Sequence, residues 1–308
     1  MQEGSRRAIV AAFLANLGIA ATKLAAFIAT GAASMLAEAV HSFADTGNQG
    51  LLLLGSRLAR REATPEHPFG FGQERYFWAF VVALVLFSLG AVFAVIEGVA
   101  KLRNPHELTD PGWALGVLGV AMGLETWSLR TALREARHTR GREGFWHFVR
   151  STKSPELPVV LLEDAGALVG LFFALAAVSL SVATGDPRWD AGGSIAIGLL
   201  LGGIAWVLAR EMRSLLLGEA ASPEAQQAIR EAIGASPGVT RVIHLRTLHL
   251  GPEELLVATK VEFQSSLSFA ELARSIDAAE ARVRARVPEA RLIFIEPDVH
   301  RDPRSEGP

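Results

Sequence analysis

His41 and Asp45 stand four residues apart inside a run of apolar residues, and this pairing of an imidazole with a carboxylate is the chain's clearest chemical signal. On an α-helix, residues i and i+4 lie one above the other on a single face, so both side chains can address one ion. Asn48, seven residues after His41, continues the stripe, and Glu38 and Gln49 add further polarity. Charged groups at bilayer depth are expensive, which implies a polar purpose. The plainer alternative is a buried His–Asp hydrogen bond that joins helices. A second cluster, Glu163 and Asp164, interrupts the apolar stretch Leu157 to Ala183. Neighbours on a helix diverge by about 100°, so both carboxylates reach one ion only if it lies between their faces. Otherwise one ligates while the other takes a proton. The structural alternative for Glu163 is an ion pair with Lys23. Together the two clusters offer one imidazole and up to three carboxylates, a donor set suited to a borderline divalent ion in four-coordination. Zinc fits it best, and manganese, ferrous iron and cobalt are compatible. The chain has no cysteine, which excludes thiolate ligation and disulfides.

Helices must position these residues, and the composition points to a bilayer around them. Half of the 308 residues are apolar, and the formal net charge is only -2. Six apolar segments are each long enough to span about 30 Å of hydrocarbon: about Ala8 to Thr30, Ser34 to Leu58, Phe77 to Ala100, Gly112 to Leu133, Leu157 to Ala183 and Gly192 to Leu216. They end at breakers such as Thr30-Gly31, Asn104-Pro105, Asp110-Pro111, Lys153-Ser154-Pro155 and Gly185-Asp186-Pro187. The first segment continues past signal-peptide length without a cleavage site and reads as a retained helix. Basic residues concentrate before segment one (Arg6, Arg7), after segment two (Arg57, Arg60, Arg61, Arg75) and after segment four (Arg134, Arg137, Arg140, Arg142, Arg150, Lys153). By the positive-inside rule those flanks, and both termini, are expected to be cytoplasmic. The third connection is a weaker vote, because Lys101 and Arg103 are balanced there by Glu107 and Asp110.

After Gly218 the pattern becomes that of a soluble domain. Ser222-Pro223-Glu224 is a helix start, with serine as cap and proline in the first turn. The expected order is helix (about Pro223 to Ile233), strand (Val239 to Leu250), strand (Glu254 to Phe263), helix (Ser268 to Arg286) and strand (Arg291 to Pro297). Alternation in Leu255, Val257, Thr259, Val261 and Phe263 marks the second strand. The predicted fold class is therefore an all-α six-helix transmembrane domain over residues 1–218, followed by a small α+β domain of αββαβ, ferredoxin-like order over residues 219–308, ending in a short disordered tail.

Other features take blander readings. His67-Pro68-Phe69-Gly70-Phe71-Gly72 reads as a tight, glycine-permitted turn at the membrane surface, with Arg75 salt-bridged to a carboxylate. Its glycines lack the strand-turn-helix context of a phosphate cradle. The basic run from Arg134 to Lys153 is better explained by topology and anionic lipid than by nucleic acid, and Trp146, Phe145 and Phe148 beside it suit an interface.

The run Ser34-Met35-Leu36-Ala37-Glu38-Ala39-Val40-His41-Ser42-Phe43-Ala44-Asp45, the loop His67 to Gly72 with Glu74-Arg75 after it, Asp190 before the last apolar segment, the exit Leu215-Leu216-Leu217-Gly218 and the αββαβ tail together resemble the cation diffusion facilitator family of divalent metal/proton antiporters. The resemblance covers nearly the whole chain. It implies that the second and fifth membrane helices each supply two ligands four residues apart. His41 and Asp45 match the first pair. In the second pair Asp164 takes the later position, but Val160 takes the earlier one and cannot ligate. Glu163 is the substitute, and Leu161-Leu162-Glu163-Asp164 resembles a divergent branch that includes mitochondrial zinc carriers. The implied metal set is thus His41, Asp45, Glu163 and Asp164. The resemblance also implies a homodimer held partly by the cytoplasmic domain, with regulatory zinc bound there in relatives. Here Lys260 falls at an expected ligand position, Glu296 and Asp298 occupy the final pair, and His244 is about one residue out of register, so metal binding in the tail is expected to be weak or absent. His249 and His300 are expected to be ordinary surface histidines.

Ligation requires a neutral imidazole and ionised carboxylates, so protons compete with metal for the same groups. The expected activity is proton-coupled efflux of a divalent metal from the cytoplasm by alternating access, across a bacterial inner membrane, with no prosthetic group and no catalytic residues. A metal-sensing membrane protein without transport is the alternative. An intramembrane zinc hydrolase is disfavoured, because no His-Glu-x-x-His helix occurs.

Overall fold

The computed structural model describes residues 33–84, 88–105, 111–140 and 152–300, with scattered positions between 13 and 28. For residues 33–42 and for Ala44 and Asp45 only the backbone is described. The chain divides into two compact units, one of residues 1–58 with 74–213 and the other of residues 59–73 with 214–308.

The described elements of the first unit are all helices. They comprise α1 (Ala33–Leu58), α2 (Glu74–Val82), α3 (Ser88–Arg103), α4 (Pro111–Arg140), α5 (Glu156–Thr184) and α6 (Arg188–Leu217). These helices fall in the second to sixth expected apolar segments, the third contributing α2 and α3 on either side of residues 85–87, which lie outside the described residues. The first segment falls largely outside the described residues. Boundaries follow backbone chemistry. α4 starts on Pro111, whose missing N–H would be unsatisfied in a first turn in any case. α5 starts after Pro155 and stops at Gly185, whose φ of 71° is a left-handed cap and whose N–H donates to the Ser181 carbonyl. Among the described residues, α5 and α6 are long and apolar enough to cross a bilayer.

Packing in this unit relies on small residues and on short apolar seams. α3 and α6 approach at Gly98 and Gly198: a Cβ on Gly98 would stand 2.8 Å from the Ala191 carbonyl oxygen, and one on Gly198 2.9 Å from that of Ala91. Such backbone proximity is how helices associate where water gives no hydrophobic drive. α4 and α5 meet along Leu129, Ala132, Leu133 and Ala136 on one side and Leu157 and Leu161 on the other. Large apolar side chains such as Phe93, Ile96, Leu199 and Trp206 remain exposed, an outward face suited to hydrocarbon.

The second unit contains α7 (Pro223–Gly234), β1 (Val239–Gly251), β2 (Glu254–Phe263), α8 (Phe269–Arg286) and β3 (Ala290–Pro297). The order is the expected αββαβ, and each boundary lies within one residue of the sequence reading. β1 pairs antiparallel with β2 through a tight hairpin, and β3 pairs parallel with β2, so the connection must cross over through α8. Leu255, Val257, Thr259 and Val261 of β2 are buried in alternation, against Ile229 and Ile233 of α7, Val283 of α8 and Ile293 of β3. Ser222 caps α7 by accepting from the Ala225 N–H at 3.2 Å.

The loop of residues 59–73 groups with this unit. Gly70 has φ 80° in its turn, as expected of a position only glycine adopts freely. Gly72 lies against the end of β1: a Cβ there would stand 2.5 Å from the Leu250 carbonyl oxygen and 3.1 Å from the Gly251 Cα. The loop is thus a docking segment on the β1–β2 hairpin as well as a turn. One expectation is corrected here. His249 is 6% exposed rather than a surface histidine, because the last three residues of β1 are all buried and its N–H donates to the Glu219 carbonyl at 2.9 Å. His300 is exposed as expected.

α8 begins with Glu271 reaching back to Ser268, accepting from its N–H at 2.8 Å and from its hydroxyl at 2.7 Å. The hydroxyl and the backbone N–H hold the Glu271 carboxyl below the usual glutamate range. A depressed carboxyl contributes stability that is present above the unfolded value, about 4.3, and is lost as pH falls through the lower folded value. Melting curves from about pH 6 to about pH 2 should therefore show a flatter acid arm for Glu271→Ala than for the native chain; identical arms would show that this contact does not contribute.

Candidate metal site

α5 carries two carboxylates on adjacent residues, and the structure sends them to different helices. Glu163 accepts from Asn48 Nδ2 of α1 at 3.0 Å. Asp164, 8% exposed, accepts from Ser128 Oγ of α4 at 2.9 Å. The roughly 100° between neighbours produces this split. Asp164 shares its face with Leu157 and Leu161, which pack on α4, whereas Glu163 shares its face with Glu156 and Val160. Both carboxylates have further partners.

His41 and Asp45 lie on α1, but their side chains fall outside the described residues, as does Lys23, the structural partner considered for Glu163. Asn48 is one helical turn beyond Asp45 and two beyond His41 on α1, and it is Asn48 that contacts Glu163 of α5. Along the axis Asn48 stands about 4.5 Å from Asp45 and about 10.5 Å from His41. Among the described residues no three His, Asp or Glu side chains gather as a metal site. Of the residues now seen at the site, Asn48 announced itself in the sequence as part of the polar stripe. Ser128 gave no signal, because a serine on a helix with mixed composition is unremarked until its partner is known.

Two ion pairs brace these helices. Arg75, at the start of α2, grips Glu156, at the start of α5, with Nε 2.5 Å from Oε1 and an Nη 2.8 Å from Oε2. Their side chains are 8% and 4% exposed. The expected carboxylate partner of Arg75 is thereby named. Glu156 precedes Glu163 by seven residues, within about 20° of two full turns, so the pair fixes the rotation that aims Glu163. Lys101 Nζ, in the last turn of α3, reaches Asp190 of α6 at 3.0 Å and Glu97 one turn back at 3.8 Å, so it is paired across helices as well as within its own. In the second unit, Lys260 Nζ sits 2.7 Å from Asp298 and 3.0 Å from Glu296. An ammonium thus stands between the two carboxylates considered for metal.

A helical region with two helices long and apolar enough to cross a bilayer, one of them carrying two carboxylates, is followed by an αββαβ domain. Residues 9–217 match the family model for the cation efflux transmembrane domain, and residues 221–298 match that for the cation efflux protein cytoplasmic domain. The chain belongs to the cation diffusion facilitator family. It is 32% identical over 243 residues to the proton-coupled zinc antiporter SLC30A9, mitochondrial, of Xenopus laevis, covering 78% of this chain and 44% of that protein. Metal tolerance protein C4 of Arabidopsis thaliana is 27% identical over 265 residues, 85% of this chain and 58% of that one. Cation-efflux pump FieF of Escherichia coli is 28% identical over 304 residues, 99% of this chain and 94% of that one. The chain thus spans less than half the length of the SLC30A9 proteins it matches.

Two predictions follow from the ion pairs. Removing one member of a buried pair leaves an uncompensated charge, so Arg75→Met should destabilise the protein by about 3–5 kcal/mol, with Arg75→Met/Glu156→Leu recovering most of the loss. Unfolding in detergent micelles measures both. Donating hydrogen bonds to the Asp298 carboxylate first and to Glu296 second holds the Lys260 ammonium above the usual lysine range. A raised cationic group contributes stability below its unfolded value, about 10.4, that is lost as pH rises through the higher folded value. Lys260→Met should therefore flatten the alkaline arm of the melting profile between about pH 9 and about pH 12.

Proposed function

We propose that this protein exports a divalent metal ion, zinc above others, in exchange for protons, with His41, Asp45, Glu163 and Asp164 as the ion-binding groups. The hydrogen bond from Asn48 to Glu163 is the observation that supports this reading most directly, since it ties the His41 and Asp45 helix to the carboxylate helix. The donors are nitrogen and oxygen, the set that zinc shares with manganese, ferrous iron and cobalt. The relatives add support: one is named a proton-coupled zinc antiporter and another a cation-efflux pump. The reading includes a transport domain of residues 1–218, a dimerising domain of residues 219–308, both termini in the cytoplasm and a bacterial inner membrane as the site of action. It makes the protein a secondary transporter and not an enzyme.

The proposed cycle follows from linkage. Metal reaches the site from the cytoplasm and displaces protons, because ligands must be deprotonated to bind. The helices rock to expose the site on the far side, and protons entering there release the metal. Arg75–Glu156 and the glycine contacts of α3 with α6 let α5 and α6 move with their neighbours as packed bodies.

Proteoliposomes loaded with a metal-sensitive dye test the reading. An imposed pH gradient should change the zinc flux several-fold, and Asp45→Ala, Glu163→Ala and Asp164→Ala should each reduce it at least about tenfold. Flux that ignores the gradient would remove the proton coupling. Binding without flux would favour a sensor. The same assay with manganese, ferrous iron, cobalt and cadmium assigns the cargo.

A further inference from the structure

Asn48 is 3% exposed, and its amide is used on one side only. Nδ2 donates to Glu163 Oε1 at 3.0 Å, while Oδ1 is buried with no hydrogen-bond partner among the described residues. A buried carbonyl oxygen without a donor loses the hydrogen bond that water would have given it, and such orphans call for an explanation. This one belongs to a side chain on the same helical face as His41 and Asp45, already in contact with the carboxylate of the opposing helix. An amide oxygen is a hard, neutral donor of the kind that completes coordination around divalent cations. Val160 meanwhile shares the face of Glu163 and brings no donor atom. Gln49, next along the chain, has a buried Oε1 in the same condition, but its neighbour position turns it about 100° away from the stripe.

We propose that Asn48 is a direct ligand of the transported ion, offering Oδ1 to the metal while Nδ2 holds Glu163. The inference rests on the proposed ion site and extends it by one neutral oxygen. A neutral ligand adds coordination without adding charge, so the site takes an oxygen-rich environment with fewer carboxylates than a four-acid cage would need. It also makes the amide a determinant of which ion is accepted, because the charge at this one position sets how well the site suits harder cations.

Cobalt(II) is the probe, since its visible absorption reports coordination number and ligand type. Full-length protein in detergent is titrated with cobalt alone for the native chain, Asn48→Leu, Asn48→Asp and Glu163→Gln. Asn48→Leu should weaken binding at least about tenfold and change the shape and intensity of the band. Asn48→Asp, which keeps an oxygen at the same reach, should bind but with a shifted band. It decides the matter should the leucine variant fail to fold. A native band in Asn48→Asp, or in a folded Asn48→Leu at any affinity, overturns the proposal. When Glu163→Gln loses binding while both Asn48 variants behave as native, the inference fails and the ion site stands. When Glu163→Gln is itself native in affinity and band, the site reading fails and the inference with it.

Discussion

A guanidinium and a carboxylate withdrawn from water, Arg75 and Glu156, set the geometry on which the helical unit depends. Desolvating two charges is costly enough that the pair persists only with good geometry, and here the fork makes two contacts, at 2.5 and 2.8 Å. That bond ties the first residue of α5 to the first turn of α2. A long helix anchored at its first turn has its rotation decided for everything above. Glu156 and Glu163 share a face, so holding the one directs the other.

The consequence is a division between two acids that look equivalent in sequence. Glu163 is drawn to the amide on α1, and Asp164 to the hydroxyl on α4. Each carboxylate receives a hydrogen bond from a neutral donor, which steadies its orientation. Both acids are thus oriented by side chains of neighbouring helices. The α4–α5 seam of Leu157 and Leu161 against Leu129, Leu133 and Ala136 holds the second of these arrangements through apolar packing.

In the second unit an ammonium bridges two carboxylates. Lys260 places its charge where Glu296 and Asp298 meet, so two carboxylates that would repel each other are bridged by a side chain of the same domain. Likewise the hairpin end of β1, which would leave His249 and Leu250 open, is covered by the segment at Glu219 and by the loop at Gly72. Both cases make a local feature depend on residues distant in the chain.

Much of this protein is legible in its sequence because the relevant physics is local. Strand alternation, the Ser222-Pro223 start, the Gly185-Asp186-Pro187 break and the polar stripe of His41, Asp45 and Asn48 are properties of short windows, and the αββαβ order followed from them. Apolar runs long enough for a bilayer needed only composition. What only the tertiary structure decided are the pairings between windows: that Arg75 meets Glu156, that Glu163 and Asp164 part company toward Asn48 and Ser128, and that His249 is buried with its N–H on the Glu219 carbonyl. Those depend on helix rotation and on which faces pack, and residues far apart in the chain carry no spacing that encodes it. The stripe on α1 was therefore readable from the beginning, while its meeting with α5 through Asn48 was not.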